Sequence, residues 1–231
     1  MRNFFIVLAG TFLFSGRCLA QDYIQKKNDL TRRVTEEYSV NKSNEYVKDG
    51  RYLAYYRRNI IASGTYTTGK PTGTWHYYDY RGTPMQNFDF DAMNLSYEAP
   101  EDSTSHLRYF VDKKIVDTDL LTKPLRIGGR YYGYIPYLSA FKVPFSMYNV
   151  RGELFNVWIE LLISPLGRLA DYKVYLTSYY YRYEQTFSFD VNLFKEDDKL
   201  FIPATINKQP VISRILIRCS LQNDGGIDFY N

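Results

Sequence analysis

Five apolar residues, Phe155, Val157, Ile159, Leu161 and Ile163, recur at every second position, with Asn156, Trp158 and Glu160 between them. A period of two puts all five on one face of an extended strand, and that face needs a core to cover it. Ser164-Pro165-Leu166-Gly167 then turns the chain, and Leu169 to Leu176 is expected to return antiparallel. Val211, Ser213, Ile215, Ile217 and Cys219 repeat the alternation near the end of the sequence. With 24 tyrosines, several of them doubled, the composition also favours strands and half-buried surfaces. These features predict a strand-rich α+β protein.

Residues 1–20 read as a secretory signal. Arg2 is followed by an apolar run from Phe4 to Phe14 that is too short to span a bilayer, which takes about 20 residues. Cleavage is expected after Ala20, giving a periplasmic, secreted or cell-surface protein without an integral membrane span. A lipidated Cys18 is the competing reading, disfavoured by Arg17 directly before it. Removing residues 1–20 leaves Cys219 as the one cysteine, so no internal disulfide is expected, and the alternation places its thiol on the apolar face of its strand.

Of the 29 lysines and arginines, Arg2 and Arg17 leave with the signal, so 27 basic groups face 25 acidic ones. So even a balance gives no support to nucleic-acid binding. His76 and His106 are the only histidines, too few for a Cys/His metal site. Asp89 and Asp91 read as one solvated strand face, and Glu196-Asp197-Asp198 as a charged loop. Gly128-Gly129 and Gly225-Gly226 are too short to cradle a phosphate. No cofactor and no catalytic residue are expected.

At an offset of 23, Gly50 aligns with Gly73, Tyr52 with Trp75 and Tyr55 with Tyr78. Thr68-Gly69-Lys70-Pro71 marks a hairpin between the two copies. The stretch Gly64 to Gly82 resembles the MORN-type repeat of secreted bacterial proteins, with a partial copy from Gly50. The resemblance implies a ribbon of stacked β-hairpins over 21–98. Trp75 and Tyr77 are then the aromatic steps of the stack or, in the alternative reading, an exposed tyrosine/tryptophan platform for carbohydrate.

Residues 99–124 read as a linker, in which Tyr109-Phe110-Val111 and Ile115-Val116 would pair locally around Asp112-Lys113-Lys114. Beyond it, Tyr131, Tyr134, Ile135, Leu138 and Phe141 share one face of a short helix that Pro136 limits or starts. Residues 183–195 are ambiguous, since Phe187, Val191 and Phe194 fit a helix while Phe187, Phe189, Val191 and Leu193 fit a strand. The order Gly128-Gly129, helix, Gly152, long strand, Pro-x-Gly hairpin, Phe201-x-Pro203-Ala204, Asn207-x-x-Pro210-Val211 and closing strand resembles the TonB C-terminal domain family, over 125–231. That order tips 183–195 towards helix. The resemblance implies an antiparallel sheet with one or two short helices that takes an extended envelope protein or peptide segment by strand addition, or dimerises through a sheet edge. Ile212, Arg214, Leu216 and Arg218 would face the partner from the last strand; equally, the two arginines would only guard that edge against aggregation.

Overall fold

A computed structural model describes residues 22–101, 105–148 and 150–229. The signal reading and Cys18 lie outside those residues. Seven strands, β1 (Tyr23–Asp29), β2 (Val34–Asn41), β3 (Asn44–Tyr56), β4 (Asn59–Thr67), β5 (Lys70–Tyr78), β6 (Pro84–Asp89) and β7 (Asn94–Glu98), form one antiparallel sheet. Their spatial order is the chain order, so each strand pairs with its sequence neighbours. The β4–β5 connection has Thr68 and Gly69 both at positive φ (50° and 82°), the geometry that lets a two-residue loop match the strand twist.

Trp75 and Tyr77 face inward, 2% and 3% exposed. The exposed-platform reading of these two residues is therefore corrected. They alternate with exposed Thr74 and His76, and the inward face of the sheet carries a core of Tyr52, Ile61, Trp75, Tyr77 and Phe88. Gly64 is required here, because a Cβ at that position would sit 2.2 Å from the indole of Trp75. The ring of Tyr52, one repeat earlier, lies 5.1 Å from that of Trp75.

The remaining elements are β8 (Leu107–Val111), the two-residue strands β9 (Leu121–Thr122) and β10 (Leu125–Arg126), helix α1 (Ile135–Ser139), β11 (Asn156–Ile163), β12 (Leu169–Ser178), β13 (Tyr183–Phe189), the short β14 (Phe201–Ile202), β15 (Thr205–Ile206) and β16 (Gln209–Pro210), then β17 (Ser213–Leu221) and β18 (Ile227–Phe229). The main second sheet runs β13-β12-β11-β17-β18, with β8 also on β17. Val157, Ile159, Leu161 and Ile163 are at most 1% exposed and pack with Val174, Leu176, Ile215 and Ile217 under Tyr137, Leu138 and Phe141 of the α1 region. Pro136 sits in the first turn of α1, where its missing N–H costs nothing.

Three expectations are corrected. Residues 183–189 form a strand, since Tyr183, Phe187 and Phe189 pack against the core while the residues between them are exposed. Residues 107–111 do not pair with 115–116; they pair with 213–217, about a hundred residues later. The segment 99–124 is thus no free linker, because it contributes β8 to the main second sheet and β9 to a small three-stranded one.

A buried side chain ties the first sheet to the turn that precedes α1. Gln86 of β6 accepts the N–H groups of Gly128 and Gly129 at 2.8 and 3.0 Å and donates to the carbonyl of Arg126 and to Glu98. Gly128 has φ +119°, and a Cβ there would lie 2.6 Å from the Cα of Gly133. The glycine pair therefore serves a tight turn read by Gln86. Ile135 of α1 inserts into the core of the first sheet.

Candidate functional site: sheet edges and the cleft between the sheets

A free sheet edge is the feature that strand addition needs, because its outward N–H and C=O groups lack ladder partners. β17 offers none. It bonds β11 along one side, and on the other β8 covers Ser213–Ile217 while β18 covers Cys219–Leu221. The partner surface expected at Ile212, Arg214, Leu216 and Arg218 is corrected accordingly: the backbone of this strand is already paired on both sides. Arg214 forms an ion pair with Asp112, just beyond β8, at 2.8 Å. Ile212, just before the strand, is 45% exposed, Leu216 is half-buried and Arg218 is exposed. What sequence reasoning lacked was the sheet order, since periodicity marks a buried face but says nothing about which strand is outermost.

Three strands of this sheet pair on one side only: β8 and β18, which share one side of β17, and β13, which pairs with β12 over seven residues. The inward side chains of β13 are anchored; Phe187 packs edge-on against Phe141 at 5.1 Å. Glu184, Thr186 and Ser188 point the other way and are exposed. The hairpin leading into it carries Tyr179 and Tyr180, 100% and 70% exposed, while Tyr181 stacks on Phe155 at 5.3 Å.

The second feature is a cleft of about 650 Å³ between the first sheet and the segments around Arg126–Ser139 and Lys195–Leu200. Its aromatic lining is Tyr46, Tyr66, Trp75, Tyr77, Phe90 and Tyr132. Glu36 stands on the inward face of β2, between Val34 and Tyr38, and is buried. Its carboxylate accepts from Lys48, from the Tyr52 hydroxyl at 2.9 Å and from Asn28. Tyr52 in turn shares a 2.6 Å hydrogen bond with Tyr132, carrying the chain of contacts across to the second half of the molecule. The Lys48 ammonium lies 4.6 and 4.7 Å from the ring centroids of Tyr38 and Tyr52, a cation–π arrangement.

On the facing wall Arg126 is 6% exposed and fully engaged. It donates to the carbonyls of Gly133 (3.0 Å), Asp197 (3.1 Å) and Leu200 (2.7 Å), and to the Asp198 carboxylate at 3.2 Å. Burial raises the Asp198 carboxyl above its ordinary range while the Arg126 charge pulls it down. Burial likewise holds the Tyr52, Tyr66 and Tyr132 phenols well above theirs, so all three stay neutral hydrogen-bonding groups near pH 7. Glu36, Lys48 and Arg126 escaped the sequence reading, and Asp198, read as part of a charged loop, is held against the buried Arg126. A signal existed for Glu36, a carboxylate standing where the period-two pattern wants an apolar side chain.

The other singled-out residues lie apart. His76 is exposed, with Nδ1 2.9 Å from Asn87. His106 is half-buried against Phe229, and burial lowers its pKa. Asp91 leaves the strand: Asp89 accepts the N–H groups of Asp91 and Ala92 in a turn, so the two do not share a strand face. The Cys219 thiol is buried, which raises its pKa, and it donates to the Ile217 carbonyl at 3.6 Å without a disulfide partner among the described residues. Among the described residues, no three His, Cys, Asp or Glu side chains are grouped to hold a metal ion, and no helix is long and apolar enough to cross a membrane. Comparisons with family models, with curated proteins and with solved structures found no match to this chain.

Proposed function

We propose that this protein is an exported, non-catalytic interaction module of the bacterial envelope that takes an extended segment of a partner protein as an added strand along β13. The observation that carries the reading is the unpaired outer edge of β13, seven residues long and braced from within by Phe187 and Phe189. Backbone hydrogen bonds to that edge would supply affinity, and the exposed Glu184, Thr186 and Ser188 with the neighbouring Tyr179 and Tyr180 would supply selectivity. The sequential hairpins of the first sheet support the MORN-type resemblance, and a short helix packed on an antiparallel sheet supports the TonB C-terminal-like one. A non-catalytic role is supported by the cleft, where Glu36 and Arg126 are already bound by the protein's own groups and the phenols are held neutral.

Amide hydrogen exchange on the protein with and without its captured envelope partner tests this reading. Slowed exchange at 183–189 with 213–221 unchanged is expected. A complex that leaves 183–189 exchanging freely, or no complex from envelope extracts, would count against it.

A second reading has its own support. The cleft combines six aromatic side chains with charges of both signs, a lining suited to a neutral polar ligand such as a saccharide. Under this reading Tyr66→Ala abolishes binding of a glycan identified on an array; retention of binding rejects it.

A further inference from the structure

In an antiparallel meander every second turn emerges at the same end of the sheet. Here the β1–β2, β3–β4 and β5–β6 turns share one end, and they carry Arg32 and Arg33, Arg57 and Arg58, and Arg81 respectively. Successive turns in that row are two strand spacings apart, about 10 Å. The three turns are tied together: the Arg57 N–H donates to the Arg33 carbonyl at 3.1 Å, and the Asn59 side chain donates to the Tyr80 carbonyl at 3.0 Å.

Between the second and third turns lies a groove of about 440 Å³ lined by Tyr56, Arg57, Arg58, Asn59, Tyr80 and Arg81. The rings of Tyr56 and Tyr80 meet edge to face at 6.1 Å and are propped from below by Tyr131. Arg57 and Arg81 lie 5.5 and 5.1 Å from the centroids of those rings. Arg32, Arg57, Arg58 and Arg81 are exposed, and none of them makes an ion pair among the described residues. The nearby carboxylates are largely committed. Asp79 accepts the N–H groups of Arg81 and Thr83 within its turn, Asp228 pairs with Arg33, and Asp29 remains at the end of β1. An overall charge close to balance thus conceals a one-sided row.

We infer that this rim is a binding site for a linear anionic polysaccharide, a glycan bearing sulfate or phosphate groups. Guanidinium groups bind such oxyanions through paired N–H donors. The 10 Å pitch suits a polymer that carries an anion on each disaccharide, and the tyrosine floor suits the C–H faces of the intervening sugar rings. A single-stranded nucleic acid places its phosphates closer together than the turns are spaced.

The test titrates the purified protein with a heparin-derived oligosaccharide and a phosphomannan-derived one, with neutral dextran and oligo-dT as comparators, across a range of salt concentrations. Both anionic glycans are expected to bind, with the tighter of the two naming the anion, and dextran to fail. The combined variant Arg57→Gln/Arg58→Gln/Arg81→Gln, exposed turn positions whose change should leave Trp75 fluorescence unaltered, is expected to bind about tenfold or more weakly and with a flatter salt dependence. Lys70→Gln, at the opposite end of the sheet, should bind as the unaltered protein does. Equal affinity of the triple variant and the unaltered protein, or no glycan binding at low salt, would overturn the assignment. Tighter binding of oligo-dT than of either glycan would overturn it in favour of a nucleic acid.

Discussion

The two sheets solve the same packing problem with different side chains. The second has mostly aliphatic strand faces, with Val157, Ile159, Leu161, Ile163, Val174, Ile215 and Ile217 packed under the rings of Tyr137, Phe141 and Tyr172. The first is built on rings, with Tyr52, Trp75, Tyr77 and Phe88 at its centre. Aliphatic side chains bring no polar atoms inside. Tyrosine and tryptophan do, and each buried hydroxyl or indole N–H needs a partner. Hence Trp75 donates to the Thr65 carbonyl, and Tyr52 is held between Glu36 and Tyr132. The contrast teaches where a cleft with chemical character can arise: in the first core Glu36 and Tyr132, which hold the Tyr52 hydroxyl, line the cleft, while in the second the buried Tyr172 hydroxyl is taken up by the Tyr137 carbonyl.

Substitutions that break or sharpen this contrast have graded effects. Trp75→Ala should be the most damaging, costing about 3–5 kcal/mol in denaturant unfolding, because the indole fills the space over Gly64. Tyr52→Phe keeps the ring but leaves Glu36 and Tyr132 each short of a partner. A loss of about 1–3 kcal/mol is expected, where an aliphatic-type core would register almost nothing. Ile159→Val in the other core removes one methylene and should cost about 0.5–1.5 kcal/mol. Arg214→Gln, breaking a half-exposed ion pair at the side of β17, should change stability by less than about 1 kcal/mol, and less still in high salt.

A pH titration separates the regions further. Burial works to raise the Glu101 carboxyl, but hydrogen bonds from Lys123 and Ser105 prevail and hold it below its ordinary value. A lowered folded-state pKa means stability that is present above the unfolded-state pKa and lost as pH falls through the folded one. Unfolding measured from pH 6 downward should therefore show a loss of stability in the unaltered protein that Glu101→Gln lacks.

Much of this architecture was legible in the residues. The alternations at β11 and β17 marked buried faces because a period of two has a single structural meaning, and Thr68-Gly69 marked its hairpin. Residues 183–195 were ambiguous for a definable reason: Phe187 belongs to both the helical and the extended pattern, and the strand prevails because β12 supplies an edge to pair with. The pairing of β8 with β17 left no local trace, since register between segments a hundred residues apart is fixed by the assembled core. The site was harder to see. Strand order hid the inner position of Arg214 and the outer one of Thr186, and the turn arginines are dispersed over fifty residues until the meander aligns them.

Strand addition along β13 requires β13 to be an open edge and β17 an inner strand. Residue-resolved amide exchange on the free protein measures that directly. Amides of 213–221 should be among the slowest in the molecule, while the outward-facing amides of 183–189 exchange within the fast regime of unpaired edges. Protection at 183–189 as strong as at 213–221, or fast exchange throughout 213–221, would contradict it.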